Sequence, residues 1–306
     1  MLVAGAGGVD RIGEWPIVAA LTPFRVDGAV DYGALGDYLD LLTAAGVPSV
    51  LVGGTTGEFA SLTVHERKQV LQFCRGRWSR QLIAQVGASA VGDVTELVVH
   101  ANDVADALAV IAPYFFAGPP EAGVEAFYAR VLRFARKPLL LYNFPRHTQV
   151  ALAPVLVERL AVRFPLVRGI KDSGKDFAVS REYKTRCPQL TVLLGDDRAC
   201  ARLGELGVDG VVTGAGGPVA ELPVAIAAAT RAGDSACARR SQAVFDRYTD
   251  RRKATPVSDI AFAKSALAAR LPGFPTHVRP PLTAAPPELT ADITAFLRNE
   301  IFTEFG

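Results

Sequence analysis

Leu82-Ile83-Ala84-Gln85-Val86 is followed by Val94-Thr95-Glu96-Leu97-Val98-Val99-His100-Ala101-Asn102-Asp103-Val104, and then by Ala109-Val110-Ile111-Ala112. The outer two runs are short and, Gln85 apart, continuously apolar, the pattern of parallel strands buried on both faces. The middle run has helical spacing. Working outward, the alternation repeats. Residues 17–21, 49–52, 139–142, 167–170, 191–194 and 210–213 complete a set of eight candidate strands. Residues 31–45, 64–78, 124–134, 155–161 and 198–206 are candidate helices, the first with Leu35, Tyr38, Leu39 and Leu42 on one face. Thr63 and Glu66 form a capping box at a helix start, and Pro16, Pro138 and Pro165 stop the chain just before strands. Eight β/α units in series predict an α/β fold with a parallel sheet. Their even spacing favours a closed (β/α)₈ TIM barrel over a doubly wound sheet.

Such a barrel needs roughly 250 residues, and the chain has 306. The surplus follows the eighth strand and reads as helices at 219–231, 235–248 and 260–270, a Pro-rich stretch at 272–287 and a last short helix near 293–302. The expected division is 1–225 for the barrel and 226–306 for a C-terminal helical extension packed on it. A net charge of +2, without a basic stripe interleaved with aromatics, argues against nucleic acid. The densest basic run, Arg251-Arg252-Lys253, reads as a solvated patch. Cys74, Cys187, Cys200 and Cys237 are scattered, as reduced intracellular thiols are. The first residues lack the basic region and apolar core of a secretory signal, and no apolar run reaches the roughly 20 residues of a membrane helix. The expectation is a soluble cytoplasmic protein.

In a barrel the reactive groups sit at the C-terminal ends of the strands. The second strand ends in Gly53-Gly54-Thr55-Thr56-Gly57-Glu58, whose glycines let backbone approach a ligand and whose N–H groups can hold a carboxylate. The fifth ends in Tyr142-Asn143-Phe144-Pro145, where a phenol can act as general acid or base. The sixth ends in Gly169-Ile170-Lys171-Asp172-Ser173. A lysine buried in a barrel is costly, and burial favours the neutral, nucleophilic amine. Singly, each motif has a plain alternative: a Gly-rich turn, a barrel-lining aromatic, a solvated lysine or one paired with Asp172. The seventh and eighth strands end in Gly195-Asp196-Asp197 and in Val212-Thr213-Gly214-Ala215-Gly216-Gly217, suited to polar contact and close backbone approach.

Together, 54–58, 142–145 and 169–173 resemble, in order and interval, the signature of the dihydrodipicolinate synthase/N-acetylneuraminate lyase family, with similarity from about Ile17 to about Leu282. Gly195-Asp196-Asp197 and Arg279-Pro280-Pro281-Leu282 fit the same family. The resemblance implies a class I aldolase, a carbon–carbon lyase with a hydro-lyase variant possible in the family, working through a covalent Schiff base on Lys171 with no metal and no other cofactor. It implies that Tyr142 moves protons, that Thr55 links to Tyr142, and that Thr56 and the backbone from Gly54 hold the carboxylate of pyruvate. Val212 would lie against the pyruvyl unit, and His147, Arg146, Gly195 and Asp197 would meet substrate. The implied partners are pyruvate and an aldehyde, and the implied assembly is a homo-oligomer, tetramer or dimer.

Two positions depart from the synthase pattern. His147 stands where those synthases carry a carboxylate-clamping arginine, and Phe115 stands where a tyrosine crosses a subunit interface. Histidine is the weaker clamp, and phenylalanine cannot relay a proton. A hydroxylated 2-oxo acid, of the 2-keto-3-deoxygluconate or 4-hydroxy-2-oxoglutarate type, fits these departures better than aspartate semialdehyde or N-acetylneuraminate. Other classes fit less. His65, His100, His147 and His277 have no metal-ligand spacing, with His65 and His100 expected on helix surfaces. Neither Gly5-Ala6-Gly7-Gly8 nor Gly214-Ala215-Gly216-Gly217 completes a dinucleotide fingerprint. A catalytically silent 2-oxo-acid-binding barrel would have no need of Lys171 as a nucleophile.

Overall fold

The computed structural model describes residues 12–304, so the Gly5–Gly8 run and the first residues lie outside it. Eight parallel strands close in sequence order: β1 (Ile17–Ala19), β2 (Ser49–Val52), β3 (Gln81–Gln85), β4 (Ala107–Ile111), β5 (Leu139–Asn143), β6 (Val167–Asp172), β7 (Thr191–Leu194) and β8 (Gly210–Thr213). Closure pairs Ile17 of β1 with Val212 of β8. Alternate residues of each strand point into the lumen. Ile17, Ala19, Leu51, Ile83, Ala107, Ala109, Leu140, Leu193 and Val212 pack there as one apolar plug. Gly169 occupies a lumen position where a Cβ would lie 2.4 Å from the Thr191 carbonyl, so only glycine fits between β6 and β7.

The helices are α1 (Tyr32–Ala44), α2 (Val64–Arg77), α3 (Val91–Val104), α4 (Glu121–Leu132), the short α5 (Pro145–Thr148), α6 (Pro154–Arg163), α7 (Phe177–Arg186), the single-turn α8 (Leu203–Leu206) and α9 (Glu221–Arg231). Their apolar faces cover the outside of the barrel. The predicted capping box of α2 is present in both directions between Thr63 and Glu66. Asp106 and Asp209, just before β4 and β8, each accept an edge N–H of the preceding strand, Leu82 at 2.8 Å and Val192 at 2.8 Å. Buried backbone donors are thereby satisfied where the ladder starts.

Three sequence expectations need correction. Helix α7 was not anticipated, because its buried face carries Ser180 and Tyr183 rather than an apolar stripe. The segment at 198–206 is a 3₁₀ stretch (Asp197–Arg202) followed by α8, not one helix. The last helix begins earlier, at Pro287, as α12 (Pro287–Phe296), and continues through a π turn.

The remaining helices of the C-terminal part are α10 (Ser235–Ala254) and α11 (Asp259–Ala268). Phe245, Tyr248, Phe262, Ile293, Leu297 and Ile301 form a single core with Leu194 and Val211 of the barrel and Ile226 of α9. Helix α9 runs unbroken across positions 225 and 226, where the sequence reading divides the chain. We propose that the extension starts after Arg231. The Pro-rich return brings His277 to a bridge with Phe24, beside the end of β1.

Candidate active site

At the C-terminal mouth of the barrel lies a cavity of about 910 Å³, within the usual size of a small-molecule site. Strand register assembles its floor. Tyr142 and Lys171 are paired positions of β5 and β6, so both side chains enter the lumen side by side. The Lys171 Nζ lies 3.9 Å from the centroid of the Tyr142 ring, which is itself almost fully buried. Ala19 of β1 and Val212 of β8 line the same cavity. Lys171 is only 6% exposed, and among the described residues no carboxylate forms an ion pair with it.

The alternative pairing of Lys171 with Asp172 is not found. Asp172 points to the opposite face of β6, as the next residue in a strand must. There it accepts from Asn143 Nδ2 at 2.8 Å, Gly174 N at 2.8 Å and Ser180 Oγ at 2.5 Å. Its charge is consumed in anchoring β5, β6 and α7, which leaves the Lys171 amine facing open space.

Thr55 and Thr56 reach the cavity from the turn after β2. The Thr55 hydroxyl lies 3.4 Å from the Tyr142 hydroxyl, a long hydrogen bond that gives the phenol a route to a second proton carrier. The apolar side of Tyr142 is walled by Phe59 and Ile111, with Tyr114 and Phe144 packed against them. Phe144 stacks in turn on His147 at 4.0 Å between ring centroids. Partial burial and, after it, the neighbouring Arg146 charge push the His147 imidazole below its ordinary value.

Of the remaining expected residues, Arg146, His147, Gly195 and Asp197 line the cavity. Gly54 does not. Its carbonyl accepts from Gly57 N at 3.0 Å, and it shapes the turn instead. Gly195 has no room for a side chain, since a Cβ would meet Ser173 Oγ at 2.0 Å. Asp197 Oδ1 accepts from Thr213 at 2.6 Å, and its Oδ2 lies 3.4 Å from Arg252.

Arg252 overturns the reading of 251–253 as a solvated patch. It is 7% exposed, lines the cavity from α10, and its Nε has no hydrogen-bond partner; the nearest carboxylate oxygen to that atom is Asp259 Oδ1, at 3.7 Å. Ser173 and Lys175 also line the cavity without having been singled out as substrate-binding, although Ser173 closes the lysine motif and was visible there.

Residues 15–299 match the Dihydrodipicolinate synthetase family. The chain belongs to that family. It is a carbon–carbon lyase of the class I pyruvate aldolase kind. A 4-hydroxy-tetrahydrodipicolinate synthase of Chelativorans sp. (strain BNC1) is 30% identical over 288 residues, covering 92% of this chain and 97% of the relative. YagE, a prophage protein of the dihydrodipicolinic acid synthase family from E. coli K12 solved in complex with pyruvate, is 28% identical with a TM-score of 0.86, over 92% of this chain and 97% of its own. A Sulfolobus solfataricus 2-keto-3-deoxygluconate aldolase variant shares the fold, with a TM-score of 0.86 at 21% identity over 94% of this chain and 97% of its own. Among the described residues no group of three or more His, Cys, Asp or Glu could hold a metal ion, and no helix is long and apolar enough to cross a membrane.

Proposed function

We propose that this dihydrodipicolinate synthetase family member is a Schiff-base aldolase that joins or separates pyruvate and an aldehyde, with a hydroxylated 2-oxo acid as the combined molecule. The observation that carries the reading is Lys171: a buried amine without a carboxylate partner, 3.9 Å from the ring of Tyr142, on the floor of a cavity. In the cleavage direction the neutral amine adds to the C2 ketone, and water leaves as the iminium forms. The Tyr142 hydroxyl, relayed through Thr55, takes the proton of the C4 hydroxyl. The C3–C4 bond breaks, the aldehyde departs, and the electron pair passes through the enamine to the iminium nitrogen. Protonation at C3 and hydrolysis by water then release pyruvate and restore the amine. Thr56 and the N–H groups of its turn hold the C1 carboxylate.

The acceptor end supports a hydroxylated chain. The His147 imidazole and the hydroxyl of Ser173 offer donor and acceptor atoms, and Arg252 adds a guanidinium. Aspartate semialdehyde, the substrate of a dihydrodipicolinate synthase, is the second reading, favoured by the 30% identical relative and disfavoured by His147 and Phe115. Phe115 is 84% exposed beside the exposed Phe116, an aromatic patch of the kind that oligomers cover, which supports a homo-oligomer.

The test is pyruvate trapping with borohydride followed by peptide mapping, then a substrate panel. An adduct on Lys171, with turnover of 2-keto-3-deoxygluconate or 4-hydroxy-2-oxoglutarate, is the expected result. Consumption of aspartate semialdehyde alone would replace the first reading by the second, and absence of any Lys171 adduct would end both.

A further inference from the structure

The turn that carries Thr55 and Thr56 ends on Glu58, and Glu58 is not a cavity residue. Its backbone is left-handed, with φ 55°, a region that side chains other than glycine seldom occupy. Its side chain is 1% exposed and reaches away from the cavity to Lys264 of α11, which is fully buried. Lys264 Nζ donates to Glu58 Oε1 at 2.5 Å and to the His277 carbonyl at 2.7 Å, and it sits 4.3 Å from the centroid of the Phe24 ring. The second carboxylate oxygen accepts from Arg279 N at 3.1 Å. The turn's own hydrogen bonds are Gly57 N to Gly54 O at 3.0 Å, Glu58 N to Thr55 O at 3.1 Å and Phe59 N to Gly54 O at 3.4 Å, with Thr22 Oγ1 donating to the Gly57 carbonyl at 2.9 Å; none of these holds the Glu58 side chain.

We propose that Glu58 and Lys264 are positioning residues, a buried clamp by which the C-terminal extension holds the Thr55-Thr56 turn in the shape that receives the 2-oxo acid carboxylate. The inference rests on the proposed role of that turn in pyruvate binding. A buried ion pair contributes little net stability over an apolar pair of the same shape, and a fixed geometry is its better attested use. Here the pair fixes a strained residue two positions after Thr56, with Lys264 donating to Glu58 and the His277 carbonyl and both Glu58 oxygens engaged. Burial pulls the Lys264 ammonium down to about 8 even though Glu58 holds it up, which marks how much desolvation the clamp bears.

The experiment compares Glu58→Gln, Lys264→Met and the double variant with the unmodified protein. Pyruvate trapping on Lys171 is titrated, and amide hydrogen exchange is followed across residues 54–59. The clamp predicts that half-saturation by pyruvate rises roughly ten- to hundredfold, the scale of one lost charge-assisted hydrogen bond. Trapping at saturating pyruvate still reaches completion, since Lys171 is untouched. Exchange at Glu58 and Phe59 quickens with no pyruvate present. The double variant, which leaves no unpaired buried charge, regains thermal stability over Lys264→Met without regaining pyruvate affinity. Unchanged exchange in the turn of folded variants would overturn the clamp, as would recovery of affinity in the double variant. Faster exchange in a protein that never traps pyruvate would uphold the mechanical tie while sinking the aldolase reading and, with it, the carboxylate role.

Discussion

Lys171 is made available by what its neighbours do. Asp172 turns away to Asn143, Ser180 and the Gly174 amide, so the only charge next along the strand is already committed. The aromatic face of Tyr142 then supplies a contact that does not take the amine's lone pair. Replacing Lys171 by Ala should abolish borohydride trapping and turnover together. Tyr142→Phe should lower turnover by about 10²–10⁴, the range for a positioned acid–base group, while pyruvate trapping continues; full activity in that variant would remove Tyr142 from the proton path. The place of Lys171 and Tyr142 in the cavity was legible in the sequence because a strand end announces itself locally, through an apolar run that stops at a polar residue. Arg252 was not. Its place in the cavity depends on α10 folding back over the mouth, and three consecutive basic residues look alike to any local reading.

Helix α2 shows how a terminus links to the rest. Glu66 closes the capping box on Thr63 and also receives Arg279 from the extension, at 2.5 Å and 3.1 Å. Hydrogen bonds from Arg279 first, and from Thr63 after it, hold the Glu66 carboxyl down at about 2 against an ordinary 4.5. In the unfolded chain that carboxyl takes up its proton near 4.5, and in the folded chain only near 2. The stabilisation is therefore complete above about pH 4.5 and is lost as the pH falls toward 2; on the standard conversion it amounts to about 3 kcal/mol at most. Acid titration of unfolding free energy should be flatter in Glu66→Gln across that window, and an unchanged slope would refute the assignment. The capping box was readable from Thr63 and Glu66 alone, whereas the Arg279 partner was not. Helix α7 escaped for a related reason: its inward residues are hydroxyl-bearing, with Ser180 bonded to Asp172 and Tyr183 bonded to the Leu152 carbonyl, so no apolar period marks the helix.

At the scale of the molecule, barrel and extension melt into one core rather than meeting at a boundary. Phe262 of α11 packs edge-on against Tyr248 of α10, with ring centroids 5.6 Å apart, inside the cluster that includes Leu194 and Val211. Phe262→Ala should cost about 3–5 kcal/mol, and chemical denaturation followed by tryptophan fluorescence and by far-ultraviolet circular dichroism should still give coincident transitions. Two separated transitions would show that the extension unfolds on its own. The eight strands were legible because burial on both faces writes a mostly apolar run, even in β6, where Arg168 faces outward. The end of the barrel was not, because α9 belongs to the barrel by position and to the extension by the core it shares.

The clamp between Glu58 and Lys264 spans 206 positions of chain, and that distance becomes a delay while the protein is being made. Val212, which closes the ring against Ile17, leaves the ribosome well before Arg279, whose amide completes the shell of Glu58. At the ordinary pace of synthesis, roughly 5–20 residues per second, several seconds separate the two events. During that interval the strands of the ring are all made while the 54–58 turn still lacks its last contact, with an acidic side chain waiting for its partner.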